Sequence, residues 1–298
     1  MSSEPALLRR VALSSMLGTA IEYYDFLLYG TMSALIFGSI FFPESDPAVA
    51  TIAAFGTLAA GYLARPVGGI IFGHFGDRIG RKSMLVLTMS LMGAASFLVG
   101  LLPTFAAVGI AAPILLVTLR VIQGVAIGGE WGGATLMVTE HAEPHRRGFW
   151  NGVMQMGSPI GSLLSVAVVT LITLLPDHAF MSWGWRIPFL VSLLLLALGM
   201  YVRLSVTESP VFTQAAQDDP GRQRVPLLEL LRRPRNLLLA CAVGIGPFAL
   251  TALISTYMIS YATMIGYHRT DVMTALIFTS TTALLCIPLF STLSDLVG

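Results

Sequence analysis

Apolar residues run along this chain in long unbroken blocks, and the polar residues gather between them. A bilayer core takes about 20 apolar residues as helix. Eight blocks reach that length, at 12–40, 49–73, 83–102, 107–138, 149–175, 187–204, 237–266 and 272–293. None shows the ten-residue alternation of a barrel strand. The pattern predicts an all-α polytopic membrane protein. The one sizeable polar stretch is 205–236, with Asp218, Asp219, Pro220 and Gly221 followed by an amphipathic piece from Val225 to Arg233. It reads as a cytoplasmic linker between two helix bundles, ending in a short helix on the membrane face, or else as an unstructured hinge. The expected organisation is a six-helix bundle over 1–204, the linker over 205–236, and a partial second bundle over 237–298 holding spans 7 and 8.

Composition narrows the class. Of 298 residues, 17 are basic and 16 acidic, so 11% are charged, against about 25% in a soluble domain. Hydrophobic residues make up 55%, and so few charges cannot coat a soluble core of this size. A net charge of +1 gives no cation surplus for a nucleic-acid partner. Cys241 and Cys286 lie in apolar blocks and do not form a secreted disulfide framework.

The basic residues orient the spans. Arg9, Arg10, Arg78, Arg81, Lys82, Arg146 and Arg147 flank one side, joined by Arg203, Arg222, Arg224, Arg232, Arg233 and Arg235. The opposite side offers only Arg186 and Arg269, while Arg65 and Arg120 lie within spans. The positive-inside rule then places the N-terminus and the end of span 8 in the cytoplasm. Glu22 and Asp25 interrupt the first block, which argues against a cleaved signal peptide.

The sequence repeats itself weakly. Gly73-His-Phe-Gly-Asp-Arg-Ile-Gly80 and Ser291-Thr-Leu-Ser-Asp-Leu-Val-Gly298 each follow the second span of a half, and Asp295 aligns with Asp77. With the span count, this suggests two six-span halves. The expectation is that the chain holds one half and two spans of the other, truncated after the eighth span.

Five segments carry a superfamily resemblance. Gly73-x-x-x-Asp-Arg-x-Gly-Arg-Lys82 resembles the signature of the major facilitator superfamily between spans 2 and 3. Arg120-x-x-Gln-Gly-x-x-x-Gly128 resembles its span-4 motif, and Glu140 with Pro144 and Arg147-Gly148 resembles the exit from that span. Trp183-Gly-Trp-Arg-Ile-Pro-Phe189 and Glu208-Ser-Pro210 look like the two ends of span 6. Within the superfamily the chain is similar to the metabolite:proton symporters, through Ile21-Glu-Tyr-Tyr-Asp-Phe26, Tyr29-Gly30, Ala64-Arg-Pro66 and Gly128-Gly-Glu-Trp-Gly-Gly133. That family includes carriers of shikimate, 2-oxoglutarate, citrate and proline or betaine. The similarity is closest to the shikimate-type branch, through His74-Phe-Gly and Leu136-Met-Val. The resemblance implies a major facilitator fold in the bacterial plasma membrane and proton-coupled symport of a small organic acid or zwitterion by alternating access.

Intramembrane charges cost about 2.5–3.5 kcal/mol each on insertion scales. Glu22, Asp25, Arg120 and Glu130 are such charges, and they are the candidates for proton coupling. Glu22, Asp25 and Tyr29 share one helical face, which should look into the bundle or a water-filled cavity. Counting rise from the span ends places Asp25 and Arg120 at one depth and Glu130 near the midplane. In proton-coupled sugar porters of the superfamily a span-1 carboxylate pairs with the span-4 arginine, so the resemblance makes Asp25–Arg120 the first coupling pair. Separation of the pair would let Asp25 take up a proton, and Arg120 would then bind a substrate carboxylate in bidentate fashion. A static buried ion pair is the competing reading. Tyr29, Gln123, Asn151 and Gln155 are further substrate contacts or, alternatively, interhelical hydrogen bonds.

Gly73, Asp77, Arg78, Gly80, Arg81, Lys82, Glu140, Arg147 and Glu208 are expected at a cytoplasmic gate, with Asp77, Arg81, Glu140, Arg147 and Glu208 forming a network. The plainer reading is a set of positive-inside anchors. Gly69/Gly73, Gly124/Gly128 and Gly129/Gly133 read as close-packing faces. The histidines at 74, 141, 145, 178 and 268 fall in predicted connections. No nucleophile elbow, metal motif or phosphate loop is present, so neither an enzyme nor a bound metal or cofactor is expected. The competing function is a truncated, transport-inactive membrane protein that needs a partner chain or self-association to complete its cavity.

Overall fold

The computed structural model describes residues 4–208, 234–254, 261–262, 265–267 and 269–297. The described helices are α1 (Glu4–Met32), α2 (Gly38–Phe41), α3 (Pro47–Ile79), α4 (Arg81–Leu101), α5 (Phe105–Val108), α6 (Ala111–His141), α7 (Arg147–Gln155), α8 (Gly157–Thr173), α9 (Asp177–Ser182), α10 (Ile187–Leu204), α11 (Pro234–Ala252) and α12 (Arg269–Val297). A π-helical turn, Ser33–Phe37, joins α1 to α2.

Seven stretches of described residues are long and apolar enough to cross a membrane: Leu7–Phe41, Pro47–Ile79, Arg81–Leu101, Ala111–His141, Pro144–Thr173, Gly184–Leu204 and Thr274–Val297. They correspond to seven of the eight expected spans. The remaining one, 237–266, begins within α11 and then runs largely outside the described residues. Most of the expected linker, including Asp218 to Gly221 and Val225 to Arg233, also lies outside them.

Three breaks were not visible in the apolar blocks. Gly109 takes φ +57° between α5 and α6, so span 4 starts at Ala111 and not at 107. Span 5 is interrupted between Gln155 and Gly157. The π turn in span 1 adds backbone without a change in apolar character. Phe37, carried on that turn, packs against Tyr29 at 5.1 Å, Phe41 at 5.3 Å, Phe189 at 5.9 Å and Trp185 at 6.0 Å. These rings anchor the larger hydrophobic core at the end of the bundle away from the Gly73–Lys82 segment.

Glycine sets the closest helix contacts. A Cβ on Gly124 would overlap the Gly61 carbonyl oxygen, and one on Gly128 would overlap that of Arg65, so α6 lies backbone to backbone on α3. Gly157 and Gly161 do the same for α8 against the Met16 and Ala20 carbonyls of α1. Small residues admit such approaches, which gain dispersion contacts where lipid supplies no hydrophobic drive. Gly73 differs from the expectation: nothing lies within 4 Å of the place its Cβ would take. His74 and His141 also differ, since both sit inside helices, α3 and α6.

Candidate functional site

Helix α1 contacts most of the other helices of the bundle and presents Glu22, Asp25 and Tyr29 to different neighbours. Asp25 is buried and meets two hydroxyls. Ser96 on α4 donates to Oδ2, and Ser192 on α10 donates to Oδ1 at 2.9 Å. Tyr29 shares a hydrogen bond with Thr57 of α3 at 2.5 Å. Glu22 pairs with Arg65 of α3 at 3.7 Å. The common face expected from spacing therefore diverges onto three partner helices, because long side chains fan out around a central helix.

Asp25 and Arg120 do not form a direct ion pair. Arg120 lies over the Tyr29 ring, 4.1 Å from its centroid. Its Nη1 donates to Gln123 Oε1 at 3.1 Å, Gln123 Nε2 donates to Ser96 Oγ at 2.6 Å, and Ser96 donates to Asp25. Arginine has no acceptor atom, so the Gln123 oxygen must face it and the amide nitrogen must face Ser96. Every donor in this chain points from the guanidinium toward the carboxylate, an arrangement in which successive bonds polarise one another. Arg120 is only 2% exposed. Bidentate capture of a substrate by Arg120 would require this chain to open first.

Glu130 on α6 and Arg203 on α10 form a second buried pair at 3.4 Å, with side chains 2% and 3% exposed. From its place at the end of span 6, Arg203 reads in the sequence as a cytoplasmic flanking cation. The structure turns it inward instead, where it serves as the counter-charge that Glu130 needs in an apolar interior. Gly18 makes room for the pair on α1: a Cβ there would come within 2.7 Å of Glu130 Oε1. Glu130 Oε2 and Arg203 Nε are both buried without a hydrogen-bond partner.

Gln123 and Tyr29 thus belong to the buried network. Asn151 bonds Thr139 of α6 at 3.0 Å and the Arg147 carbonyl at 2.9 Å, close to the Arg81 end of the bundle. It links helices and is not brought to the charge network. Gln155 Oε1 is buried without a partner. A cavity of about 340 Å³ opens beside the π turn, lined by Ser33, Ser39, Ser45 and Thr51 among others, and none of the expected binding residues lines it.

At the other end, the Gly73–Lys82 segment, which spans the end of α3, Gly80 and the start of α4, ties α4 to its neighbours. Gly80 adopts φ 115°, a value that favours glycine. Arg81 pairs with Glu140 of α6 and lies 3.9 Å from Asp77. Glu208 accepts from the backbone N–H of Arg81 at 3.1 Å and of Lys82 at 3.1 Å. It caps two of the orphan donors at the positive dipole end of α4. Lys82 Nζ reaches the Leu204 carbonyl at 2.9 Å. Four of the five expected network members, Asp77, Arg81, Glu140 and Glu208, therefore meet. Arg147 is exposed and makes no ion pair among the described residues, and the same holds for Arg78.

Asp295, the repeat counterpart of Asp77, caps α7. It accepts from the N–H groups of Gly148 and Phe149, both at 2.7 Å. Arg186 caps the far end of α4 through the Gly100 and Leu102 carbonyls at 3.0 and 2.6 Å, and stacks on Trp185 at 4.4 Å. Ser96, Ser192 and Arg203 carry no mark in the sequence motifs, and Arg65 appears there only within Ala64-Arg-Pro66, with no role attached. Their one sequence signal is that each midspan carboxylate demands a partner.

The chain is similar to known proteins along nearly its whole length. A family model described as Major Facilitator Superfamily matches residues 12–298. The chain is 44% identical over 294 residues to the shikimate transporter of Escherichia coli (strain K12), covering 97% of this chain and 67% of that protein. It is 36% identical over 302 residues to the proline/betaine transporter of Salmonella typhimurium, covering 98% and 60%. The fold superposes on a solved proton:xylose symporter bound to 6-bromo-6-deoxy-D-glucose with a TM-score of 0.72 at 19% identity, covering 99% of this chain and 70% of that one.

Proposed function

The chain belongs to the major facilitator superfamily, and from that premise we propose that it is a proton-coupled symporter of a small organic acid or zwitterion. Membership makes it a multi-pass membrane protein of a transporter family and not an enzyme. A shikimate-like acid is the favoured cargo, in keeping with the 44% identity to a shikimate transporter. Movement is by alternating access across the plasma membrane, with the N-terminus cytoplasmic. With Arg203 withdrawn from the flanking set, 12 of the 17 basic residues remain on that side, so the orientation argument keeps its sign. Residues 1–204 act as one bundle, 205–236 as the linker, and 237–298 as part of the second bundle.

The observation that carries the reading is the directed chain Arg120–Gln123–Ser96–Asp25. With Asp25 ionised, each link draws on the charge at its end. A proton on Asp25 turns that oxygen into a donor toward Ser96. The Ser96 proton then has the Met92 carbonyl as its acceptor, at 3.1 Å. The chain loses its direction, and Arg120 loses the anion that holds it. Proton uptake and release of Arg120 become one event, and the bundles can then rearrange around the loaded site. The cap that Asp295 places on Gly148 and Phe149 joins the two bundles and is the contact that parts when the cytoplasmic side opens, while the Arg81–Glu140 pair and the Glu208 cap hold the cytoplasmic end of the first bundle together.

The test uses vesicles holding this chain, with labelled shikimate outside. An inward proton gradient should drive accumulation in the native chain. Asp25→Asn should abolish the gradient-driven part and leave shikimate exchange at equal pH. Unchanged gradient-driven accumulation in Asp25→Asn would remove the coupling role.

A further inference from the structure

Arg65 differs from the other intramembrane arginines. It lies 18 residues from the start of α3 and 14 from its end, which at about 1.5 Å per residue puts it near the middle of the membrane. Its side chain is 27% exposed, whereas Arg120 and Arg203 are closed off and engaged. The guanidinium rests over Tyr62 at 4.7 Å and faces Phe26 at 5.8 Å. Among the described residues it donates no hydrogen bond, and its ion pair with Glu22 is long, at 3.7 Å. A midspan cation with idle donors cannot point into lipid at an acceptable cost. The side of α1 it shares with Tyr23 and Phe26 is the half-open one, while Glu22, Asp25 and Tyr29 are buried.

We propose that Arg65 is the anchor for the substrate carboxylate, and that Glu22 is the group that yields Arg65 to the substrate by taking a proton. The planar fork of arginine matches a carboxylate in bidentate geometry. Tyr62 and Phe26 supply apolar walls for a small carbon ring beside it. Charge balance ties the proton to the cargo. Arg65 and Glu22 together are neutral. A substrate carboxylate added to them leaves one uncompensated negative charge in a low-dielectric site, and one proton on Glu22 restores neutrality. When the proton leaves to water, Glu22 regains the guanidinium and the carboxylate departs.

The charged and titratable groups around Glu22 are few. Arg65 and Tyr62 face it from α3, Glu130 from α6 and Tyr23 from its own helix. Arg203 of α10 is taken up by Glu130. Arg65 is therefore the cation that a protonation of Glu22 releases. The assignment rests on the organic-acid reading above, but it concerns binding and not the Asp25 relay.

Binding of labelled shikimate to the purified chain in lipid discs, across acidic to alkaline pH and without a gradient, tests it. In the native chain, affinity should fall as pH rises. Glu22→Gln should bind at alkaline pH as tightly as the native chain does at acidic pH, a gain that misfolding cannot produce. Arg65→Gln should weaken binding by about 30-fold or more and should no longer prefer shikimate over its uncharged methyl ester. Native pH dependence in Glu22→Gln, native affinity in Arg65→Gln, or no binding of shikimate or 2-oxoglutarate at any pH would each overturn the anchor. Unchanged gradient-driven accumulation in Asp25→Asn would overturn the coupling reading while leaving the binding result standing, so the two failures are told apart.

Discussion

At the residue scale, the buried charges explain one another only once their partners are known. Glu130 stands out in the sequence because it interrupts an apolar span, while Arg203 does not, because it borders a polar segment and reads as a flanking cation. In the fold the two meet at 3.4 Å with almost no exposure. Removing one partner of such a pair strands the other in a low dielectric, at about 3–5 kcal/mol. Thermal unfolding in lipid should therefore show a large loss for Glu130→Met or Arg203→Met alone. The double substitution should recover most of it, because two apolar side chains leave no orphan charge. Equal, additive losses would mean that the pair does not act as a unit. Ser96 and Ser192 were illegible for a different reason. A hydroxyl in a span commonly bonds its own preceding turn, as Ser90 does with Val86, and only three-dimensional placement reveals that these two serve Asp25.

At the scale of elements, hydropathy located the seven spans among the described residues to within about six residues at either end, since lipid sets both length and polarity. It could not see Gly109, the break at Gln155–Gly157 or the π turn, because each lies inside an apolar run and depends on backbone geometry. The glycine spacing was more informative. Gly124 and Gly128 do pack closely, against Gly61 and Arg65. Gly124→Val should push α6 off α3, since its Cβ would already overlap backbone that cannot move aside. Gly132→Ala, with nothing within 4 Å, should be tolerated. The yield of folded, monodisperse protein compares the two directly, and equal yields would count against the close contact as the organiser of this interface. Because Arg65 and Arg120 ride on the same two helices, the contact also fixes the distance between the proposed anchor and the relay.

At the scale of the whole molecule, the weak internal repeat acquires a physical meaning. Asp295 seats on the N-terminus of α7, while its counterpart Asp77 stays half-exposed beside Arg81. The match in sequence was only an Asp and a Gly, too little to predict a cap, because the partner of a cap is a pair of backbone N–H groups that leaves no trace in side-chain identity. The family, by contrast, was legible from motifs at fixed spacing, and the comparisons support it over residues 12–298. The central claim is that cargo and proton cross together. The direct measurement is made in liposomes holding this chain and an internal pH dye, with no gradient imposed. Adding shikimate outside should acidify the interior in the native chain and fail to do so in Asp25→Asn. Entry of labelled shikimate without any change in internal pH would contradict the account.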